Sequence, residues 1–216
     1  MLDKLPTDKH ISARPFPKVG GRGRVCQRHS YENWSMFLIR HGQSEFNAVY
    51  SVTRQDPGIA DPVLTEEGRR QAHAAAAALR NGVGSPVRRL ISSPYTRALQ
   101  TATIIADALG LEVTVDPLVR ERAAFMCDIG ASPVDLAQRF PRFRFDHLDD
   151  PWWHDHIACG APETEEALAA RGARFRAAMA NTPDWPQVAV VTHWGFIRCL
   201  TGRPPANGEI VHLPLA

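Results

Sequence analysis

The sequence predicts an α/β fold of three layers (α/β/α), with a mostly parallel central sheet and helices on both faces. Short apolar segments, typical of buried strands, alternate along the chain with longer segments of helical periodicity. This alternation favours parallel pairing, because two parallel strands need a long crossover connection that is usually a helix. Of the 216 residues, 44% are hydrophobic and 22% are charged, which is enough for one domain with a sizeable core.

The first 33 residues do not fit this pattern. Three prolines precede an alternation of glycine and arginine at 20–24, and large apolar residues recur at no fixed period. We therefore predict an extended or weakly ordered arm over residues 1–33 and a folded domain over 34–216. A natural start at Met36 is the alternative, which the mass of the natively expressed protein would decide.

The domain begins with one strand and two helices. The apolar residues 37–39 predict a short buried strand, and residues 43–51 predict a helix after it. Thr65 is a suitable N-cap for the next helix, since two glutamates follow it, and Gly82 lies just past its end. The alanine run between them favours a helix that a neighbour can approach closely.

A second strand, at 90–92, leads into a third helix. Ser93 is placed to cap this helix, Pro94 suits its first position, and Gly110 ends it. The next strand is expected at 111–115.

The C-terminal part continues the alternation. Helices are expected over 133–140 and 164–180, and the apolar run 188–192 predicts a fully buried strand. A helix at 195–200 follows it, and residues 210–213 are expected to add an edge strand.

Polar residues follow three of the predicted strands. Arg40 and His41 come directly after the first strand, and His193 follows the strand at 188–192. Arg97 lies one turn into the helix after the second strand, where the helix dipole disfavours a cation unless an anion is bound beside it. Ligands of open α/β sheets lie outside the carboxyl ends of the strands, so these side chains should meet in one place. Together with helix N-termini they predict a pocket for a phosphate dianion.

Glu121 is the carboxylate best placed to face such a pocket, since it follows the strand at 111–115. A surface ion pair is the alternative, because Arg120 and Arg122 flank it. Asp116 and Asp128 are the next candidates for the same role.

The order of these motifs resembles the histidine phosphatase superfamily, which includes phosphoglycerate mutases and many small-molecule phosphatases. The matching segments are RHGQS at 40–44, DPVLTEEG at 61–68, SSPYTRALQTA at 92–102 and VVTHWGF at 190–196. The resemblance runs from Met36 to about Gly202 and implies a phosphoglycerate mutase-like fold. It favours the phosphatase branch of the family over the mutase branch.

The resemblance implies covalent catalysis by His41. Neutral imidazole would attack phosphorus and form a phosphohistidine, and Gly42 would leave room for this approach. Glu121 would protonate the leaving oxygen and then activate water. Arg40, Arg97 and His193 would act with these two as catalytic residues, stabilising charge on the transferred group.

The same resemblance implies how the phosphate is bound. Its non-bridging oxygens would be held by Arg40, Arg97 and His193, with Asn47 as a further donor. No metal and no cofactor are implied, because the two arginines carry the charge stabilisation.

The expected activity is hydrolysis of a small phosphorylated metabolite, and three alternatives stay open. A mutase is less favoured, because Phe46 replaces a tryptophan of the mutases and the residues after Glu121 lack their paired arginines and tyrosine. A non-catalytic phospho-ligand binding protein is the second alternative. A phosphohistidine-protein phosphatase is the third, but the insert 123–163 is long enough to cover the pocket.

The segment WWHDHIAC at 152–159 has two interpretations. Its two histidines, aspartate and cysteine suggest a metal site, although their spacing matches no standard zinc pattern. Trp152 and Trp153 favour a packed flap over the pocket instead.

Composition limits the partners and the compartment. A net charge of +2 gives no reason to expect nucleic acid or membrane as a partner. No apolar run is long enough for a transmembrane helix or resembles a secretory signal. The four cysteines are scattered, which favours a cytoplasmic protein without a disulfide framework. The oligomeric state is not predicted.

Overall fold

The computed structural model describes residues 35–82 and 86–214, so the arm predicted over 1–33 lies outside the described part. The described residues form one five-stranded sheet with strands β1 (Ser35–Arg40), β2 (Arg89–Ser92), β3 (Val113–Val115), β4 (Val188–Thr192) and β5 (Ile210–Pro214). The α-helices are α1 (Glu45–Thr53), α2 (Glu66–Arg80), α3 (Thr96–Leu109), α4 (Pro133–Arg139), α5 (His156–Cys159), α6 (Glu165–Ala180) and α7 (Trp194–Thr201).

The sheet has the strand order β3-β2-β4-β1-β5. Its first four strands pair in parallel, and β5 pairs antiparallel with β1 at the edge. This confirms the predicted α/β fold with a mostly parallel sheet. The crossovers between parallel strands place helices on the sheet, which is why the strands read as continuous apolar runs.

Both faces of the sheet are buried, as the three-layer prediction requires. In β1, Met36 and Leu38 pack with Phe175 of α6 in one core cluster. Phe37 and Ile39 face the other way and join a cluster with alanines of α2 and α3. The alternation of β1 side chains between two cores explains why the strand is apolar at every position. Among the described residues, no helix combines the length and apolarity needed to cross a bilayer.

Helices α3 and α5 differ from the sequence prediction. Helix α3 begins at Thr96, so Ser93 does not cap it and Pro94 precedes it. The Ser93 hydroxyl instead contacts an imidazole nitrogen of His193 at 2.7 Å, a long-range bond that local propensity does not reveal. The short helix α5 was not predicted; the Asp155 carboxylate caps it by accepting from two backbone N–H groups.

Gly42 is required by backbone packing, which corrects the expectation that it leaves room for a reacting group. A Cβ at this position would lie 2.1 Å from the carbonyl oxygen of Gly68, in the first turn of α2. The end of β1 and the start of α2 therefore approach too closely for any side chain between them.

We expect Gly42→Ala to lower the free energy of unfolding by about 3 kcal/mol, because backbone atoms must move to admit the methyl group. Urea denaturation followed by circular dichroism would measure this loss. Gly172→Ala is the matched control: its Cβ would first meet a Leu200 methyl carbon, 3.2 Å away, at the end of a flexible side chain. The prediction is wrong if both variants unfold at the same urea concentration.

Candidate active site

The register of the parallel strands brings two histidines together. Arg40 pairs with Thr192 across β1 and β4, so His41 and His193 are each the first residue beyond adjacent strand ends. The backbone N–H of His41 donates to the Thr192 carbonyl at 3.0 Å. The two imidazole rings lie with centroids 5.0 Å apart.

The imidazole of His41 is held as a neutral base. Its Nδ1 lies 2.7 Å from the carbonyl oxygen of Gly42, so Nδ1 carries the proton and Nε2 keeps its lone pair. The ring is 3% exposed. Burial, reinforced by the positive charges of Arg97 and Arg40, lowers the pKa of His41 well below its usual value. A neutral imidazole with a free lone pair can act as a nucleophile at neutral pH.

His193 is positioned by two neighbours. Its Nε2 contacts the Ser93 hydroxyl, and its ring forms a T-shaped contact with the Tyr95 ring, at 5.2 Å between centroids. Burial, followed by the charge of Arg97, lowers the pKa of His193 well below its usual value. A neutral His193 that accepts the Ser93 proton at Nε2 carries its own proton at Nδ1, which is buried and has no partner in the described residues. Nδ1 is then a donor available to an anion.

Arg97 is fixed by a buried carboxylate. Its guanidinium donates to the Cys127 carbonyl at 2.6 Å and to the Asp128 carboxylate at 3.1 Å. Both charged side chains are almost fully buried. Asp128 therefore compensates the positive charge of Arg97 at the start of the helix. The position of Arg97 is for this reason not by itself a sign of a bound anion. The two bonds use two of its five N–H donors and leave others for the cavity that it lines.

Arg40 and Asn47 are held by the loop after α7. Arg40 donates to the carbonyl of Pro205 at 2.9 Å, and burial lowers its pKa to about 10. Asn207 donates to the His41 carbonyl at 3.2 Å and to the Asn47 side-chain oxygen at 3.1 Å. Asn47 also lines the cavity, and because its side-chain oxygen already accepts hydrogen bonds, its amide nitrogen is the group that it can offer to a ligand. Sequence reasoning missed Asn207, since the Asn-Gly pair at 207–208 indicates only a turn.

Glu121 lies at the same cavity, with its carboxylate against the first turn of α7. Oε1 accepts from the backbone N–H of Gly195 at 2.9 Å and of Arg122 at 2.8 Å. Burial, followed by the charge of Asp128, raises the pKa of Glu121. The surface ion-pair alternative does not hold, because Arg120 pairs with Glu163 instead.

Of the other acid candidates, Asp116 lies away from this cavity. Its carboxylate accepts from the Leu118 backbone and caps a short 3₁₀ helix at 117–119. Asp128 lines the cavity, but its carboxylate is bound to Arg97 and to two backbone N–H groups.

A buried arginine anchors the segment that carries Glu121. Arg171 of α6 is 1% exposed and donates to three backbone carbonyls of that segment while pairing with Glu163 at 2.7 Å. Thr192 of β4 holds the same segment through the Val119 carbonyl at 2.6 Å. Sequence reasoning missed Arg171, since nothing in a helical pattern marks one arginine as buried.

The candidate side chains gather at one cavity of about 590 Å³. Arg40, His41, Asn47, Arg97 and Glu121 line one part of it, with His193 next to His41. Its remaining lining includes four aromatic residues, Phe46, Tyr50, Phe125 and Trp194, and two further arginines, Arg54 and Arg122. The structure therefore brings five of the six sequence candidates to the cavity wall and places the sixth, the buried His193, directly behind His41.

The 152–159 segment does not form a flap over this cavity. Trp152 is buried, packs on Tyr95 at 4.7 Å between centroids and donates to the Ala131 carbonyl. Tyr95 in turn packs against His193, so Trp152 supports His193 through Tyr95. Residues 35–82 and 86–214 contain no group of three or more His, Cys, Asp or Glu side chains placed to hold a metal ion. From the insert 123–163, the residues that contribute to the cavity wall are Ala124, Phe125, Cys127 and Asp128.

Comparison with known proteins agrees with this geometry. The model of one protein family, the histidine phosphatase superfamily (branch 1), matches residues 36–208. Over 185 residues the chain is 44% identical to a probable phosphoglycerate mutase of Yersinia pestis (strain Pestoides F), covering 81% of this chain and 77% of that protein.

Two solved mycobacterial structures are also similar. One, a hydrolase, is 28% identical with a TM-score of 0.53 over 77% of this chain and 78% of its own. The other, a glucosyl-3-phosphoglycerate phosphatase, is 26% identical with a TM-score of 0.51 over 77% of both chains.

Proposed function

The chain belongs to the histidine phosphatase superfamily, and on that premise we propose that it is a phosphomonoester hydrolase acting on a small phosphorylated metabolite. The observation that carries the proposal is the free Nε2 lone pair of the buried His41, in a cavity that Arg40, Arg97 and Glu121 also line. A nucleophile, two cations and an acid in one cavity are the parts that phosphoryl transfer needs.

In the first step, Nε2 of His41 attacks phosphorus and a P–N bond forms while the ester P–O bond breaks. Arg40, Arg97 and the Nδ1–H of His193 bind the non-bridging oxygens, where they stabilise the charge that builds up. Glu121 gives its proton to the leaving alkoxide oxygen, so the products are an alcohol and a phosphohistidine. Because its pKa is raised, the Glu121 carboxyl stays protonated up to a higher pH than an ordinary glutamate.

In the second step, water attacks phosphorus and the P–N bond breaks. Glu121, now a carboxylate, accepts the proton of that water, which restores the acid. The backbone N–H groups of Gly195 and Arg122 keep its carboxylate in place between the two steps. Inorganic phosphate and neutral His41 complete the cycle.

Phosphoglycerate mutase activity is the second candidate, favoured by the name of the Yersinia relative. The carboxylate of a phosphoglycerate would need a further cation. Arg122 is bound to Glu165 at 3.2 Å, so Arg54, which also lines the cavity, is the cation that a mutase would use. Hydrolysis is favoured instead by the residues after Glu121, which lack the paired arginines and tyrosine of the mutases.

The deciding experiment incubates the protein with 3-phosphoglycerate and a bisphosphoglycerate primer, and also with a panel of phosphorylated metabolites. We expect free phosphate from at least one ester and no rapid formation of 2-phosphoglycerate. Rapid isomerisation without phosphate release would overturn the hydrolase proposal in favour of the mutase.

Asp128→Asn tests the carboxylate that binds Arg97 and raises the pKa of Glu121. We expect kcat/KM at pH 7 to fall about tenfold or more, because removing the negative charge lowers the pKa of Glu121 and frees its proton at lower pH. The decline of activity at high pH, which follows loss of that proton, should move to lower pH.

A pH–rate profile for an alkyl phosphate would measure this displacement. Asp135→Asn, at an exposed carboxylate of α4, is the control and should leave the profile unchanged. An unshifted profile in Asp128→Asn would show that Asp128 does not influence the acid.

A further inference from the structure

Three aromatic rings form a continuous wall in the active-site cavity. Phe46 and Tyr50, on adjacent turns of α1, stack at 5.1 Å between centroids with 14° between their planes. Phe125 lies 5.5 Å from Phe46 and 5.2 Å from Tyr50. All three line the same cavity as His41. The rings support one another, so the wall is formed before a ligand arrives.

The exposed aromatic side chains are concentrated at this cavity. Among the described residues, Phe125 and Trp194 are the two exposed large aromatic side chains, at 36% and 38%. Both line the cavity, whereas the other exposed large hydrophobic residues are aliphatic and lie elsewhere. Exposed aromatic surface that is confined to a functional cavity indicates a ligand that covers it.

Two arginines lie beside the aromatic wall in the same cavity. The guanidinium of Arg122 is bound to the Glu163 carbonyl at 2.8 Å and to Glu165. The guanidinium of Arg54 lies 6.0 Å from the Tyr50 ring centroid. The three rings themselves offer a flat apolar surface, which suits a flat ring of a ligand. About 590 Å³ accommodates a phosphate together with a ring of this kind.

We propose that the substrate is a phosphomonoester whose alcohol carries a flat aromatic or heteroaromatic ring, bound against Phe46, Tyr50 and Phe125. The inference rests on the proposed hydrolase function and names the class of its leaving group. The phosphate end is fixed by the two arginines and two histidines. The ring of the alcohol stacks on the wall and determines which ester is hydrolysed fastest.

Three esters of primary alcohols separate ring recognition from leaving-group chemistry: benzyl, cyclohexylmethyl and ethyl phosphate. We expect kcat/KM for benzyl phosphate to exceed both others by about tenfold or more, the effect of aromatic contacts beyond simple size. Equal values for the benzyl and cyclohexylmethyl esters would overturn the proposal, because apolar bulk and not a flat ring would then be recognised.

Phe125→Ala should lower the ratio of kcat/KM for the benzyl ester to kcat/KM for the cyclohexylmethyl ester, because it removes one of the three rings of the wall. Val52→Ala is the matched control, because Val52 lies on the same helix as Tyr50, is 83% exposed and does not line the cavity. This control should keep the wild-type ratio. An unchanged ratio in Phe125→Ala would contradict the assignment of the wall.

Binding of benzylphosphonate and cyclohexylmethylphosphonate, measured by calorimetry, tests the proposal without turnover. We expect benzylphosphonate to bind about tenfold more tightly. Equal affinities would overturn the ring proposal whether or not the enzyme is active. A clear benzyl preference with no His41-dependent hydrolysis of any ester would instead support the ring proposal and overturn the hydrolase function.

Discussion

Replacing His41 with asparagine is expected to lower the rate of phosphate release about 10³-fold or more. The variant loses the Nε2 lone pair that attacks phosphorus, while its side-chain amide can still donate to the Gly42 carbonyl. The remaining groups still bind phosphate but cannot form the covalent intermediate. Steady-state phosphate release from an alkyl phosphate and from p-nitrophenyl phosphate would measure the loss.

The same variant tests the intermediate directly. After rapid alkaline quenching, wild-type protein incubated with labelled substrate should retain protein-bound phosphate, because a phosphohistidine survives alkali. His41→Asn should retain none. His73→Asn is the control, since His73 is an exposed histidine of α2. Full labelling of the His41→Asn variant would show that another residue is the nucleophile.

Glu121→Gln is expected to separate the two chemical steps. Hydrolysis of an alkyl phosphate should fall about 10²- to 10⁴-fold, because its alkoxide cannot leave without a proton. The nitrophenolate of p-nitrophenyl phosphate needs no proton, so this substrate should still phosphorylate His41. The glutamine oxygen can still accept the hydrogen bonds from Gly195 and Arg122. The variant therefore loses the acidic proton while its side chain keeps its position.

Stopped-flow absorbance should then show a burst of about one equivalent of nitrophenol per enzyme, followed by slow turnover. The slow phase reflects water attack without a base. The decline of wild-type activity as pH rises through the raised pKa of Glu121 should be absent from the variant. Glu166→Gln, at an exposed glutamate of α6, is the control. Equal losses for both substrates with no burst would contradict the acid–base role.

Much of the fold follows from local patterns. Continuous apolar runs predicted the strands within a few residues of their positions, since a strand that is buried on both faces must be apolar throughout. The predicted caps Thr65 and Gly110 are in place, because capping depends only on neighbouring backbone groups. Ser93 failed as a cap because a bond to His193, 100 residues away, uses its hydroxyl.

The proximity of the candidate site residues was predictable for a related reason. Parallel strands end at one edge of a sheet, so His41 and His193 must meet once the strands are assigned. No such rule locates the groups that hold the site residues. Asp128 meets Arg97 across 31 residues, Gly195 meets Glu121 across 74, and Asn207 meets Asn47 across 160.

The sequence by itself determined the α/β architecture, the superfamily and the residues at the strand ends. Each of these follows from local periodicity or from motifs that adjacent residues carry. Only the tertiary structure decided which nitrogen of His41 is free, which carboxylate holds Arg97 and which rings surround the cavity. These depend on the packing of distant segments, whose register no local pattern in the chain specifies.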